Sequence, residues 1–491
     1  MSLFRTKSVA ALQAQAGSAT GLKRELTATN LVSLGIGSVI GAGVFVLSGQ
    51  TAAQYSGPAI ALAFVISGVA SLLAGLCYAE FAAMIPIAGS AYTYTYATMG
   101  ELMAWIIGWD LMLEYLFSAA AVAVGWSANA QGILLEFGLT LPAKLSQAPF
   151  AMEHGHLIAT GALVNVPAVF ISLALTVILV IGIKESANFN NLMVFTKVGV
   201  LVVLIGYGVW YLLKHPGLAT ANWTPFIPKN TGVFGEFGYS GLVKGAAVIF
   251  FAYIGFDSVS CAAQEAKNPQ RDMPIGLLVC LAICVGLFVA VSLVLTGMIH
   301  YTKLNVDAPF IYALQQTGAP ALLRYGVEFA ALAGLTSVIL ISMLGQPRIF
   351  YSMAQDGLLP MAFAKVHPRF GTPHITTIIT GVVCAITAGV LPLDLLGELI
   401  SIGTLLAFAI VCIGILILRK TQPDMPRPFR TPWVPFVPIA GAAICLFQTY
   451  FLPWDTWIRL GIWMAIGFAV YFGYGRRNSK LHPPAWLAKG E

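Results

Sequence analysis

The chain has 491 residues and a formal net charge of +6, with 58% apolar residues and only 9% charged ones, against about 25% charged in a typical soluble domain. So few charges could not cover the surfaces of two to four soluble domains, which is what a prior of ~150 residues per domain would suggest. Its apolar residues would fill at most about fourteen helical spans of ~20 residues. They come in long unbroken runs, which excludes the short alternating segments of a transmembrane barrel. The expected fold is an all-α membrane protein.

Residues 1–30 hold no apolar run long enough for a cleavable signal, so the first span should itself direct insertion. Leu3, Phe4, Val9, Ala10 and Leu12 are set among Arg5, Lys7, Lys23 and Arg24. Two readings are open for this arm, an amphipathic helix on the inner membrane surface or a disordered basic arm. Twelve expected spans, segments 1–12, follow near 31–54, 58–85, 101–135, 165–184, 187–213, 237–263, 275–300, 321–353, 375–392, 394–418, 433–452 and 456–475, and 476–491 form a tail. With residue 1 inside, eighteen Lys and Arg fall in inner stretches, six in outer ones, and Lys197 and Lys244 within spans. That asymmetry places both termini in the cytoplasm of a multi-pass plasma-membrane protein. The net charge then belongs to the anionic inner leaflet of the bilayer, with no nucleic-acid partner.

Segments 1 and 6 are odd in the same way. Segment 1 carries Gly35-Ile-Gly37-Ser-Val-Ile-Gly41-Ala-Gly43, and segment 6 carries Phe250-Phe-Ala-Tyr-Ile-Gly255-Phe-Asp257. Five spans per unit would give residues 31–213 and 237–418 opposite orientations, an inverted repeat with one broken helix in each half; residues 433–475 supply two extra helices. A helix broken at mid-depth exposes unpaired N–H groups at one new end and carbonyls at the other. Lipid tolerates this only where the backbone lines a site. An α-amino acid has the complementary charges. Its carboxylate suits the amides of Ala42, Gly43 and Val44, and its ammonium suits carbonyls around Val39, Ile40, Phe251, Ala252 and Ile254. The bland alternative for the glycines is close helix packing through Gly37-x-x-x-Gly41; the matching break in segment 6 argues against it.

Charges inside spans are costly and mark function by default. Lys197 lies near the middle of segment 5 and Glu114 near the middle of segment 3, with Asp110 one turn earlier. Lys197 with Glu114 could form a proton site. Asp257, just past the second break, reads best as a cap of the restarted helix. Glu80 and Arg348 lie at inner ends of spans, where they could pair as an inner gate or stay solvated; Lys244 and Glu398 read as interfacial. The seven cysteines lie in or beside apolar runs without a C-x-x-C pair, and His154 and His156 have a spacing poor for metal. No metal or cofactor is expected.

The motifs now add up to a resemblance. Leu22-Lys-Arg-Glu-Leu26, the glycine run through Gly49, Cys77-Tyr-Ala-Glu80-Phe, Pro86-Ile-Ala-Gly-Ser90-Ala-Tyr-Thr-Tyr94, Gly108-Trp-Asp-Leu-Met-Leu-Glu114-Tyr, the Phe250–Asp257 run and Gln346-Pro-Arg348-Ile-Phe-Tyr351…Asp356-Gly-Leu-Leu-Pro360 resemble the cationic amino acid transporter family of the amino acid–polyamine–organocation superfamily. The match runs from about residue 4 to 475 and is to the prokaryotic, twelve-span type, the animal members having fourteen. The resemblance implies alternating access in a five-plus-five repeat and an amino acid held at both breaks. It also implies that Lys197 stands where sodium-coupled cousins hold sodium, that Glu114 is the family's segment 3 glutamate, and that Ser342 lies beside the substrate side chain. Expected partners are an amino acid, a proton and the bilayer, with a small regulatory membrane subunit left open. Two other classes, a channel and a membrane-embedded enzyme, lack respectively a parallel repeat and a convergent catalytic set.

Overall fold

The computed structural model describes residues 3–17, 22–41, 43–153, 156–306, 308–449 and 454–481. Ala42, His154 and the tail beyond residue 481 lie outside the described residues, as do the side chains of His156, Phe251 and Glu398. Helix fills nearly every run expected to span. Seven described helical stretches are long and apolar enough to cross a membrane, among them Glu101–Leu135, Ile183–Lys214, Pro269–Met298 and Ala321–Gln355. Shorter apolar helices, Ala28–Val39, Val166–Ile181, Gly238–Phe250, His374–Val390 and Phe436–Thr449, fall at segments 1, 4, 6, 9 and 11. The molecule is a multi-pass helical membrane protein. A two-stranded hairpin, Phe150–Glu153 with His156–Ala159, interrupts the loop after segment 3; its residues gave no alternating pattern long enough to announce it.

Local signals place the helix starts. Thr27 and Asn30 form a reciprocal capping box at the start of segment 1, and Pro269 occupies the first turn of segment 7, where its missing N–H costs nothing. Segments 1, 2 and 7 then pack through small residues. A Cβ on Gly35 would collide with Cys280 Sγ, and one on Gly75 would lie 2.7 Å from Leu281 Cδ1, so backbones approach as they do where dispersion replaces the hydrophobic effect. All seven cysteines are buried as free thiols. Segment 3 is stitched to segment 12: Trp109 and Trp463 each donate an indole N–H to the other's carbonyl, at 2.9 and 3.0 Å, and Trp105 donates to Gly467 O at 3.0 Å.

The N-terminal arm is helical in part and packs on the protein. Val9–Gly17 is helical, but Val9 and Leu12 are buried against the protein, and Gln13 Nε2 donates to Met84 O at 3.0 Å. The stretch before it is pinned as well: Glu101 N donates to Arg5 O, Lys7 N to Tyr96 O, and Lys7 Nζ meets Asp356 Oδ1 at 2.5 Å. Apolar residues three apart bury as readily on a protein face as on a lipid surface, and here the protein supplies polar partners too. The start of segment 1 is tied to the end of segment 6, with Leu26 N donating to Glu265 O and Lys267 N to Leu26 O, both at 2.9 Å.

Candidate functional site

The first break follows Val39. Ile40 is extended, Gly41 O accepts from Val44 N at 3.3 Å and Phe45 N at 3.4 Å, and helix resumes as loosely wound turns over Gly43–Leu47. The second break follows Phe250. A tight turn, Phe251–Tyr253, leads to Gly255 at φ +108°, and closely wound turns run from Phe256 to Glu265. That φ lies in the region only glycine enters without strain. The two breaks face each other. A Cβ on Gly43 would lie 2.5 Å from Ala252 Cβ and 2.6 Å from its Cα, and one on Gly255 would lie 3.2 Å from Ser38 Cβ. Of the expected amide donors, Val44 is engaged by Gly41 O, Gly43 opens the restarted helix, and Ala42 lies outside the described residues. Val39, Ile40, Val44 and Ala252 are buried, Gly43 with them, and Ile254 is half-buried.

Lys197 is fully buried and its ammonium donates three bonds: to Gly37 O at 2.9 Å, Ile40 O at 2.8 Å and Ser337 Oγ at 2.7 Å. Ser337 Oγ itself lies 2.8 Å from Gly37 O. The cation therefore sits on the carbonyl end of the first half-helix, where the macrodipole favours positive charge. This corrects the expected pairing with Glu114: the three Lys197 donors go elsewhere, and Ile40 O, an expected acceptor for the substrate ammonium, is taken by Lys197. Backbone carbonyls are invisible to a search for oppositely charged side chains, which is why sequence alone points to the wrong partner.

Glu114 belongs to a separate buried group. It bonds Thr404 of segment 10, Asp110 faces Gly403, and Asp257 Oδ2 accepts from Tyr115 OH at 2.7 Å. Among the described residues, Asp110 Oδ1 and Oδ2, Glu114 Oε2, Asp257 Oδ1 and the Tyr78 hydroxyl are buried without a hydrogen-bond partner. Ser342 Oγ donates to Ser118 Oγ at 3.4 Å, one turn along segment 3 from Glu114 and Tyr115, so the serine does not bond its own helix.

Glu80 and Arg348 do not pair. Arg348 forks onto Glu265, Nε to Oε2 at 2.5 Å and Nη2 to Oε1 at 2.8 Å, with both residues buried. Glu80 accepts from Arg419 at 2.9 Å, Arg427 at 3.1 Å and Thr431 N at 2.7 Å, which fastens segment 2 to the stretch joining segments 10 and 11. Sequence reading missed Glu265, Ser337 and Tyr115. A buried arginine requires a carboxylate, and Glu265 lies at the end of the broken segment 6, so that requirement could have found it. Ser337 and Tyr115 carried no such signal.

Two interrupted helices meeting inside a multi-pass bundle are the arrangement of a membrane transporter. The amino acid permease profile matches residues 26–471, and the chain belongs to the amino acid permease family. It is 46% identical to a methylthioribose transporter and 43% identical to a branched-chain amino acid permease, both of Bacillus subtilis, over 98% of this chain and 99% of each relative. It is 38% identical to a vacuolar cationic amino acid transporter of Arabidopsis thaliana over 82% of this chain and 64% of that protein.

Proposed function

We propose that the chain is a proton-coupled amino acid permease of the plasma membrane that works by alternating access. Twelve spans, a five-plus-five inverted repeat and two cytoplasmic termini complete the reading. The observation that carries it is the apposition of Gly43 and Ala252, which brings the two breaks together. The substrate carboxylate takes the amides of Ala42 and Gly43, and that of Val44 once it leaves Gly41 O, and its ammonium takes carbonyls from Val39, Phe251, Ala252 and Ile254. Because Gly43 packs on Ala252 directly, the two segments must part by a few ångströms to admit a ligand. Coupling is assigned to Lys197, with Glu114 acting separately on the side-chain end. Radiolabelled uptake into proteoliposomes tests this. An inward proton gradient should accelerate uptake without sodium, and uptake indifferent to the gradient would refute the coupling. Methylthioribose belongs in the same panel, since the Bacillus subtilis relative named for it matches as much of this chain as the branched-chain amino acid permease does. It carries neither carboxylate nor ammonium, so its uptake to the exclusion of amino acids would overturn the site.

Selectivity should follow volume and charge near Ser342. A serine there leaves room beside Tyr115 and Glu114, and arginine, lysine or ornithine should be carried alongside small neutral amino acids. Ser342→Met fills that space, a change worth about 1–3 kcal/mol or ~10–200-fold. Competition between labelled alanine and arginine should show selective loss of arginine in the methionine variant. Equal losses would sink the assignment.

The inner gate is reassigned to Arg348 and Glu265, which join segment 8 to the end of broken segment 6. Removing one partner of such a buried pair leaves the other charge uncompensated, at a cost of about 3–5 kcal/mol. Glu265→Gln is therefore expected to lower the melting temperature and open the inner side. Cys261, one turn away and buried, should then react faster with maleimide, as peptide mapping can measure; unchanged labelling would argue against a gate.

A further inference from the structure

Away from the breaks, the molecule carries an open groove of about 1150 Å³. Four cations line it, Arg24, Lys267, Arg271 and Arg427, with no carboxylate among the lining residues. They come from the approach to segment 1, the corner between segments 6 and 7, and the stretch between segments 10 and 11. Arg427 is engaged by Glu80. The side chains of Lys267 and Arg271 are exposed and form no ion pair among the described residues.

A second furrow of about 600 Å³ shares Gln270, Arg271 and Pro428 with the first, and runs on between Ile275, Leu278, Val279 and Phe429. Polarity therefore changes along one continuous surface, cationic at the basic end and hydrocarbon-lined along the helix. A free anion would use only the first part. An amphiphile with an anionic head fits both, and an anionic phospholipid has that chemistry.

We propose that the joined grooves bind an anionic phospholipid of the adjacent leaflet, with its phosphate between Lys267 and Arg271 and one acyl chain along Ile275, Leu278 and Val279. Bound there, it links the corner between segments 6 and 7 to the stretch before segment 11, two residues from gate residue Glu265. The inference rests on the chain lying in a membrane and not on what it transports. A preparation that moves no amino acid but still shows the lipid response would leave it standing.

The test titrates the purified full-length protein in neutral detergent with short-chain phosphatidylglycerol, short-chain phosphatidylcholine or sodium phosphate. Thermal melting and native mass spectrometry are the readouts. Saturable stabilisation with one retained lipid is expected for phosphatidylglycerol alone. Lys267→Gln and Arg271→Gln should each weaken it about fivefold, the weight of one basic residue near an anionic leaflet. Val279→Trp should remove the retained lipid by filling the furrow, and Lys229→Gln, remote from the groove, should change nothing. Equal stabilisation by phosphatidylcholine overturns the proposal, and so does phosphate alone reproducing the shift, which would mean a soluble anion. A Lys267→Gln/Arg271→Gln variant that melts normally yet keeps wild-type phosphatidylglycerol affinity overturns it too. If that double variant does not fold, the two single variants and Val279→Trp decide by the same criteria.

Discussion

Replacing Lys197 by alanine is expected to abolish the response of uptake to a proton gradient. The substitution removes three bonds within 2.9 Å and strands Ile40 O, while Gly37 O keeps the Ser337 hydroxyl at 2.8 Å. Each buried group left unsatisfied costs about 1–3 kcal/mol, partly offset because a buried cation no longer has to be desolvated. A net loss of about 1–2 kcal/mol at the carbonyl end of the half-helix should appear as a lower melting temperature. Ser337→Ala removes one acceptor and keeps the charge, so it should cost only about 1 kcal/mol of stability and retain the gradient response. Because the Lys197 bonds do not reach Glu114, Glu114→Gln should leave the gradient response in place and alter side-chain preference instead. A Lys197→Ala protein that still accelerates with an inward proton gradient would move the coupling elsewhere, with Asp110 the next candidate.

Gly43→Val should eliminate binding and also strain the fold. Read from sequence, it would merely block carboxylate approach in a folded protein. The structure changes that expectation, since the added Cβ would fall 2.5 Å from Ala252 Cβ and 2.6 Å from its Cα. Backbone cannot step aside as a flexible side chain can, and overpacking of this kind costs about 1–3 kcal/mol. Combining Gly43→Ala with Ala252→Gly removes the clash with Cβ but not the one with Cα, so the double variant should recover only part of the melting temperature lost by Gly43→Ala. Full recovery, or wild-type affinity in Gly43→Val, would show that the breaks are not packed face to face in the binding state.

What a sequence can disclose depends on the kind of information each feature needs. The helices were legible because long apolar runs separated by polar or proline-rich stretches mark them directly, as at Ala321–Gln355. The two breaks were legible because glycines crowd where the chain must leave the helix, and Gly255 does so at positive φ. Charge pairing was not. Glu80 and Arg348 share a depth, but depth leaves lateral position open, and each found another partner. Lys197 found carbonyls, which no residue type announces. The docking of Val9 and Leu12 was hidden because an apolar stripe does not say whether lipid or protein will cover it.

The indoles that join segments 3 and 12 give the molecule an intrinsic optical probe. Trp105 and Trp109 stack at 5.6 Å and 17°, and Trp109 and Trp463 at 4.8 Å and 22°. Rings this close couple electronically, and the Trp109–Trp463 stack crosses between helices, so it should add to the far-ultraviolet indole circular dichroism an exciton component that neither helix could give alone. Segment 3 also carries Glu114 and Tyr115, so the amplitude of that component would report whether it moves against segment 12 during a transport cycle, without any label being attached.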